Sequence, residues 1–217
     1  EIHALVGENG AGKSTLMKIA VGLYHADGGT IKFHGERIDF NSVHEALENG
    51  ISMIHQELSP LPYMTVAQNI FLGREKLNSL GLIDHKAIDR AAEEILKEID
   101  IRIPPRKIMG ELSVAQIQLV EIAEAVSRKT GLLIMDEPTS ALTEREVTHL
   151  FRIIGELKSR GTAIVFITHK MDEIFAITDE VSVYRDGELV GTMKTRETNR
   201  ETLIKMMVGR SIDQYYH

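Results

Sequence analysis

The chain has 217 residues, of which 43% are hydrophobic and 26% charged, with a net charge of −7 and no cysteine. Such values suit one large globular domain, or a core with a subdomain, and exclude disulfide and thiolate chemistry. The acidic balance argues against nucleic acid as the main partner, and no run approaches the roughly 18 apolar residues of a membrane span.

Glu1, not Met, stands where a first strand should run, and no secretory leader precedes it, so residues upstream are expected. The apolar stretch at 2–6 predicts that strand. Directly after it comes Gly7-Glu8-Asn9-Gly10-Ala11-Gly12-Lys13-Ser14, a complete G-x-x-x-x-G-K-[ST] phosphate-binding loop, opening a helical run at 15–21. Strand, glycine loop and helix are the context the motif needs. The glycines let successive backbone N–H groups turn toward phosphate oxygens, and the helix N-terminus adds partial positive charge. Lys13 would reach the β- and γ-phosphates, and the Ser14 hydroxyl would coordinate Mg²⁺.

Turns at Asp27-Gly28-Gly29 and His34-Gly35 frame a β-hairpin over 30–33 and 36–39. A short helix is expected at 42–48 and a short apolar strand at 51–55. That strand ends at Gln56, which places Gln56 at the ligand-binding edge of an α/β domain. Pro60 and Pro62 then interrupt regular structure, helical pieces follow at 65–72 and 84–99, and Pro104-Pro105 breaks the second. No strand pattern returns before Leu132. Residues 59–128 therefore read as a mostly helical insertion between core segments 1–58 and 129–217.

Ser113-Val114-Ala115-Gln116 forms a capping box, with Leu119, Ile122, Ala123 and Val126 at helical spacing behind it. Taken alone it reads as a structural cap. Its polar N-terminus is also able to receive an anion. The strand at 132–135 runs into Asp136-Glu137-Pro138. Adjacent acids at the carboxyl end of an apolar strand are poor core residues. Beside a phosphate loop, Asp136 would hold the Mg²⁺ hydration shell and Glu137 would orient or deprotonate the attacking water.

Thr143 and Glu146 make a second capping box, and the helix behind it ends near Gly161. A strand at 163–167 leads to Thr168-His169, which puts His169 at another carboxyl end, where it can donate to a γ-phosphate. A hairpin over 180–184 and 188–192 turns at Asp186-Gly187. The last helix, capped near Thr198 or Asn199, runs to Val208.

Read together, these segments resemble the nucleotide-binding subunit of ABC transporters over nearly the whole chain. GENGAGKS matches Walker A, with Thr15 beside it, and Gln56 matches the Q-loop glutamine. Leu112-Ser113-Val114-Ala115-Gln116 matches the signature, and LLIMDEP matches Walker B with its glutamate. Ser140-Ala141-Leu142-Thr143 matches the D-loop, and His169 the switch histidine. HQELSPLPYMTVAQNIFLGRE, DEPTSALTEREV and ITHKMDEIF resemble the ribose, xylose and galactose class of monosaccharide importers, with a lean toward the galactose and methyl-galactoside type.

The resemblance implies a P-loop NTPase fold, with a RecA-like parallel-sheet core, flanking β-hairpins and a helical subdomain. It implies an ATPase that uses ATP and Mg²⁺. Gly7 to Thr15 would hold the nucleotide, Ser14, Gln56 and Asp136 the metal, and Glu137, His169 and Gln56 would act in catalysis. It implies a second nucleotide-binding domain, tandem or dimeric, whose ATP is served in trans by the signature. Membrane permease subunits, a periplasmic sugar-binding protein reached indirectly, and a place on the cytoplasmic face of the membrane complete the picture.

Two positions depart from the family pattern. Val114 and Ala115 stand where two glycines are usual, and Thr143 stands where Asp is common. The family also stacks adenine on an aromatic residue upstream of Walker A, outside this chain. Without it, nucleotide binding is expected to weaken by roughly tenfold, a stack contributing about 0.5–1.5 kcal/mol. Two other readings keep the fold. One is a nucleotide-binding module inactive as an isolated fragment. The other is an ABC ATPase of DNA repair or translation, which would call for zinc-binding cysteines, long heptads or basic blocks, none of which the chain has.

Overall fold

A computed structural model describes residues 1–55 and 59–209. In chain order the strands and α-helices are β1 (Ile2–Val6), α1 (Lys13–Ala20), β2 (Ile31–Phe33), β3 (Glu36–Ile38), α2 (Val43–Glu48), β4 (Ile51–Ile54), α3 (Val66–Ile70) and α4 (His85–Glu98). They continue as α5 (Val114–Ser127), β5 (Leu132–Asp136), α6 (Glu144–Ser159), β6 (Ala163–Ile167), α7 (Met171–Ile177), β7 (Glu180–Arg185), β8 (Glu188–Lys194) and α8 (Arg200–Val208). Among the described residues no helix is long and apolar enough to cross a membrane.

The chain divides into two units. The first comprises residues 1–53, 131–137 and 161 onward, and the second comprises 54–130 and 138–160.

The first unit is built on a sheet of strand order β4-β5-β6-β1-β7-β8. β5, β6, β1 and β7 run parallel in successive pairs, and β8 closes the edge antiparallel to β7. Four of the five residues of β1, Ile2, Ala4, Leu5 and Val6, are apolar and buried because both faces of the strand are covered there. Ala4 and Val6 pack with Met171, Ile174, Val181, Val183 and Leu203. Leu5 packs on the opposite face with Val21, Phe40, Ala46, Ile51, Ile134 and Ile167. The expected first hairpin is β2–β3, a separate two-stranded sheet. The expected second hairpin is β7–β8, which joins the main sheet through β1.

The second unit is helical. α3 packs on α4 and α5. α4 buries Ile88, Ala91, Ala92 and Leu96, a stripe at helical spacing, with polar residues on its other side. Asp84 caps it by accepting from the Ala87 N–H at 2.9 Å. The segment expected to lack strands has only isolated bridges, Thr65 with Ile108 and Leu77 with Ile83.

Two features differ from the sequence reading. α7 has no counterpart in the sequence pattern, because seven residues after a strand give too short a periodic signal. α6, assigned from sequence to the 129–217 core segment, groups instead with the helical unit. Arg152 Nη2 donates to Asp100 Oδ2 at 2.8 Å, and Arg160 pairs with Glu98 and donates to its carbonyl at 2.8 Å. Leu142 and Leu150 line a small cavity of about 20 Å³ with Ala115 and Leu119.

Candidate functional site

The phosphate loop leaves the carboxyl end of β1. Gly10 and Gly12 adopt φ of 84° and 95°, the left-handed region that glycine enters without penalty. A Cβ on Gly7 would come within 2.2 Å of the Tyr184 carbonyl oxygen, so the loop's first position accepts no side chain. α1 begins at Lys13, two residues earlier than its apolar pattern suggested, so Lys13, Ser14 and Thr15 form its first turn.

Gly12 provides this helix with no side-chain cap. By contrast α2, α3, α4, α5, α6 and α8 are capped by Ser42, Thr65, Asp84, Ser113, Thr143 and Asn199. The amides of the first turn of α1 are therefore available to an anionic ligand.

Lys13 is only 8% exposed, and its ammonium donates to the carbonyls of Gly7 at 2.9 Å and Glu8 at 3.0 Å. Burial pushes its pKa below the ordinary lysine value, while the nearby Glu137 and Asp136 carboxylates oppose that shift. The ammonium is thus held inside the loop, within the field of both acids.

Because β5, β6 and β1 are parallel neighbours, their carboxyl ends share one edge of the sheet. The loop follows β1, Asp136 ends β5, and His169 follows β6. This is the edge at which open α/β sheets bind ligands. Asp136 is 7% exposed and pairs in register with Ile167. Glu137 follows it at φ 48°, an unusual conformation for a side-chain-bearing residue, and its N–H donates to the Ile167 carbonyl at 3.0 Å. That turn aims its carboxylate at the His169 ring, where Oε1 lies 3.0 Å from Nδ1. The donor set, a hydroxyl on Ser14 and a near-buried carboxylate on Asp136, consists of hard oxygens suited to Mg²⁺.

Gln56 lies outside the described residues. Residues 112–116 and 140–143, expected from the sequence as signature and D-loop, belong to the second unit. There Ser113 Oγ accepts from the Gln116 N–H at 3.3 Å, and Gln116 Oε1 accepts from the Ser113 N–H at 3.1 Å. Leu112 and Ala115 are buried, whereas Ser113 is exposed and Val114 is 49% exposed. Thr143 and Glu146 close the second box, with Thr143 N–H and Oγ1 both donating to Glu146 Oε2 at 2.8 Å. Those two bonds hold the Glu146 carboxyl below its usual range.

Two supports had no sequence signal of their own. Thr168 Oγ1 donates to the buried Glu173 Oε2 at 2.7 Å and accepts from the Lys170 N–H at 3.1 Å, fixing the turn that carries His169. An acid in the first turn of a helix recognised after β6 would have been the cue. The β7–β8 turn reaches the phosphate loop, the Gly187 N–H donating to the Ala11 carbonyl at 3.2 Å.

Comparison with known proteins agrees with this architecture. A profile of the family described as ABC transporter matches residues 1–140. A protein of Halalkalibacterium halodurans, named for ribose/galactose/methyl galactoside import as an ATP-binding protein, is 55% identical over 216 residues, covering 99% of this chain and 41% of its own length. The galactose/methyl galactoside import ATP-binding protein MglA 1 of Photobacterium profundum is 51% identical over 216 residues, covering 99% of this chain and 44% of its own. The chain thus spans about two fifths of the length of these curated relatives. A solved ATP-binding cassette of an ABC transporter, in its ADP conformation, superposes with a TM-score of 0.82 at 25% identity, over 97% of this chain and 88% of that one. With its parallel-sheet core, its uncapped phosphate loop and a profile match over residues 1–140, the chain belongs to the ABC transporter family.

Proposed function

We propose that this chain binds and hydrolyses ATP to power import of a monosaccharide through a membrane transporter. One observation carries the reading. Lys13, Asp136, Glu137 and His169 come from three adjacent parallel strands to one sheet edge, with Glu137 and His169 3.0 Å apart. The sugar-import part rests on the names of relatives that match the chain almost end to end.

In this reading the loop amides and Lys13 bind the phosphates. The attacking water gives its proton to Glu137 as its oxygen bonds to the γ-phosphorus, and the bond from that phosphorus to the β–γ bridging oxygen breaks to leave ADP and phosphate. His169 donates to the γ-phosphate and is oriented by Glu137. Mg²⁺, held by Ser14 and Asp136 with Gln56, would neutralise charge on the phosphate oxygens. Leu112 to Gln116 would serve the ATP of a facing nucleotide-binding domain. The Ser113 hydroxyl, already an acceptor within its capping box, retains a proton to donate. Ser140 to Thr143 would line that same interface. Permease subunits receive the movement in the membrane, and the periplasmic binding protein delivers the sugar to them, which places this chain on the cytoplasmic face.

MgATP turnover measured across a range of protein concentrations, with Glu137→Gln as control, tests the reading. Turnover that climbs faster than linearly and falls at least a hundredfold in the variant, with ATP binding preserved, is expected. Unchanged turnover in Glu137→Gln would remove Glu137 as the base. ATP binding without turnover at any concentration would favour a module that is silent without its partner domain.

A further inference from the structure

At the edge of the sheet opposite the phosphate loop, His3 meets two carboxylates. His3 Nδ1 lies 3.6 Å from Glu1 Oε1 and 3.8 Å from Glu180 Oε2. One ligand-type atom from each of the three residues fits within a 4.8 Å cluster. We propose that Glu1, His3 and Glu180 form a binding site for a divalent transition ion of the Zn²⁺ type, distinct from the nucleotide site.

The backbone places these groups before any ion arrives. His3 and Glu180 are register partners across the parallel β1–β7 pair, so their side chains leave the same face of the sheet. Glu1 lies two residues before His3 along an extended segment, which returns it to that face. The Glu1 carbonyl accepts from the Ile164 N–H at 2.9 Å and the Ile2 N–H donates to Asp179 Oδ2 at 2.8 Å, so the start of the strand is tied on both sides.

The second nitrogen of the ring is also engaged. His3 Nε2 lies 2.8 Å from the buried Ser182 Oγ, which in turn lies 2.6 Å from Thr192 Oγ1. A proton on Nε2 donating along this chain leaves the lone pair of Nδ1 directed at the two carboxylates. Three electron-rich groups then converge, and a cation satisfies all of them together.

The separations favour an ion over direct hydrogen bonds. At 3.6 and 3.8 Å the ring nitrogen is beyond hydrogen-bond range of either carboxylate. Ligands about 2.0–2.2 Å from a tetrahedral ion stand roughly 3.3–3.5 Å from one another, so small rotations of Glu1 and Glu180 complete the geometry. One imidazole with two carboxylates and no thiolate suits Zn²⁺, with water as fourth ligand, better than Mg²⁺, which prefers oxygen alone. The site lies about 13 Å along β1 from Gly7, four residues at strand rise, so it is independent of the phosphate loop. Lys194 is the register partner of Glu180 on β8.

Calorimetric titration of Zn²⁺ into the full chain, with excess MgADP filling the nucleotide site, reads the proposal. One equivalent of Zn²⁺ is expected to bind. His3→Gln and Glu180→Gln should each weaken binding at least tenfold, and Ser182→Ala by roughly 10- to 100-fold through loss of ring orientation. X-ray absorption should show one imidazole nitrogen among oxygen ligands at about 2.0–2.2 Å. Unchanged affinity in both ligand variants, no stoichiometric uptake, or a spectrum without imidazole would overturn it. Should His3→Gln fail to fold, Glu180→Gln and the absorption spectrum decide.

Discussion

Glu137 and Gly7 show how single residues are constrained at the candidate site. Glu137 holds φ 48°, a conformation that costs on the order of 1–3 kcal/mol away from glycine and persists because its N–H is tied to Ile167. The strain aims the carboxylate toward His169. Gly7 is constrained by space, since any Cβ would strike the backbone carbonyl of Tyr184. Gly7→Ala is therefore expected to lower the melting temperature and weaken ATP binding at least tenfold, and a fluorescent-nucleotide titration with a thermal melt reads both. A variant with wild-type affinity and melting would refute the close approach. The glycine itself was legible in the phosphate-loop motif. Its contact was not, because Tyr184 lies 177 residues away, beside a register shift between Val183 and Tyr184 in the β7–β8 pair.

Among the elements, side-chain caps close most helix N-termini, and α1 and α7 have none. α3, α5 and α6 each carry a closed capping box. Removing the Ser113 hydroxyl takes away the acceptor of the Gln116 N–H in the first turn of α5. Ser113→Ala should cost about 1 kcal/mol in chemical denaturation. If Ser113 also serves a partner's phosphate, turnover should fall further than that loss of stability explains.

α5 also carries Glu121, whose carboxyl is pushed up to about 7 by burial and by the neighbouring Glu124 carboxylate, against a hydrogen bond from the Ser59 backbone. A carboxyl that binds its proton more tightly when folded contributes stability that is complete below about pH 4.5. That contribution is lost as pH rises through about 7. Glu121→Gln should therefore flatten this part of the profile and exceed wild type at pH 8 by on the order of 2–3 kcal/mol. Equal stabilities of the two proteins at pH 8 would contradict it. The capping boxes were legible from residue spacing alone. The state of Glu121 was not, because burial of a helix position depends on what packs over it.

At the scale of the molecule, the parallel strands β5, β6 and β1 form a centre covered on both faces. Phe166 and Ile134 are fully buried there. Phe166→Ala should cost about 3–5 kcal/mol, a large share of the 5–15 kcal/mol typical of folded domains. A denaturation midpoint shifted by less than a quarter of that amount would mean the sheet relaxes around the cavity.

Much of this protein is written locally in its residues: the phosphate loop between a strand and a helix, the acids at the end of an apolar strand, the capping boxes, and the order of motifs that marks the family. These signals depend on neighbours within a few residues, which is the range over which backbone conformation and hydrogen-bond capping act. Long-range packing decided the strand order that brings β5, β6 and β1 side by side and the grouping of α6 with the helical unit. It alone also placed Glu180 beside His3. Each of these arises from pairing between segments tens to nearly two hundred residues apart. Such pairing is chosen by which apolar faces can cover one another, and no local pattern records that choice.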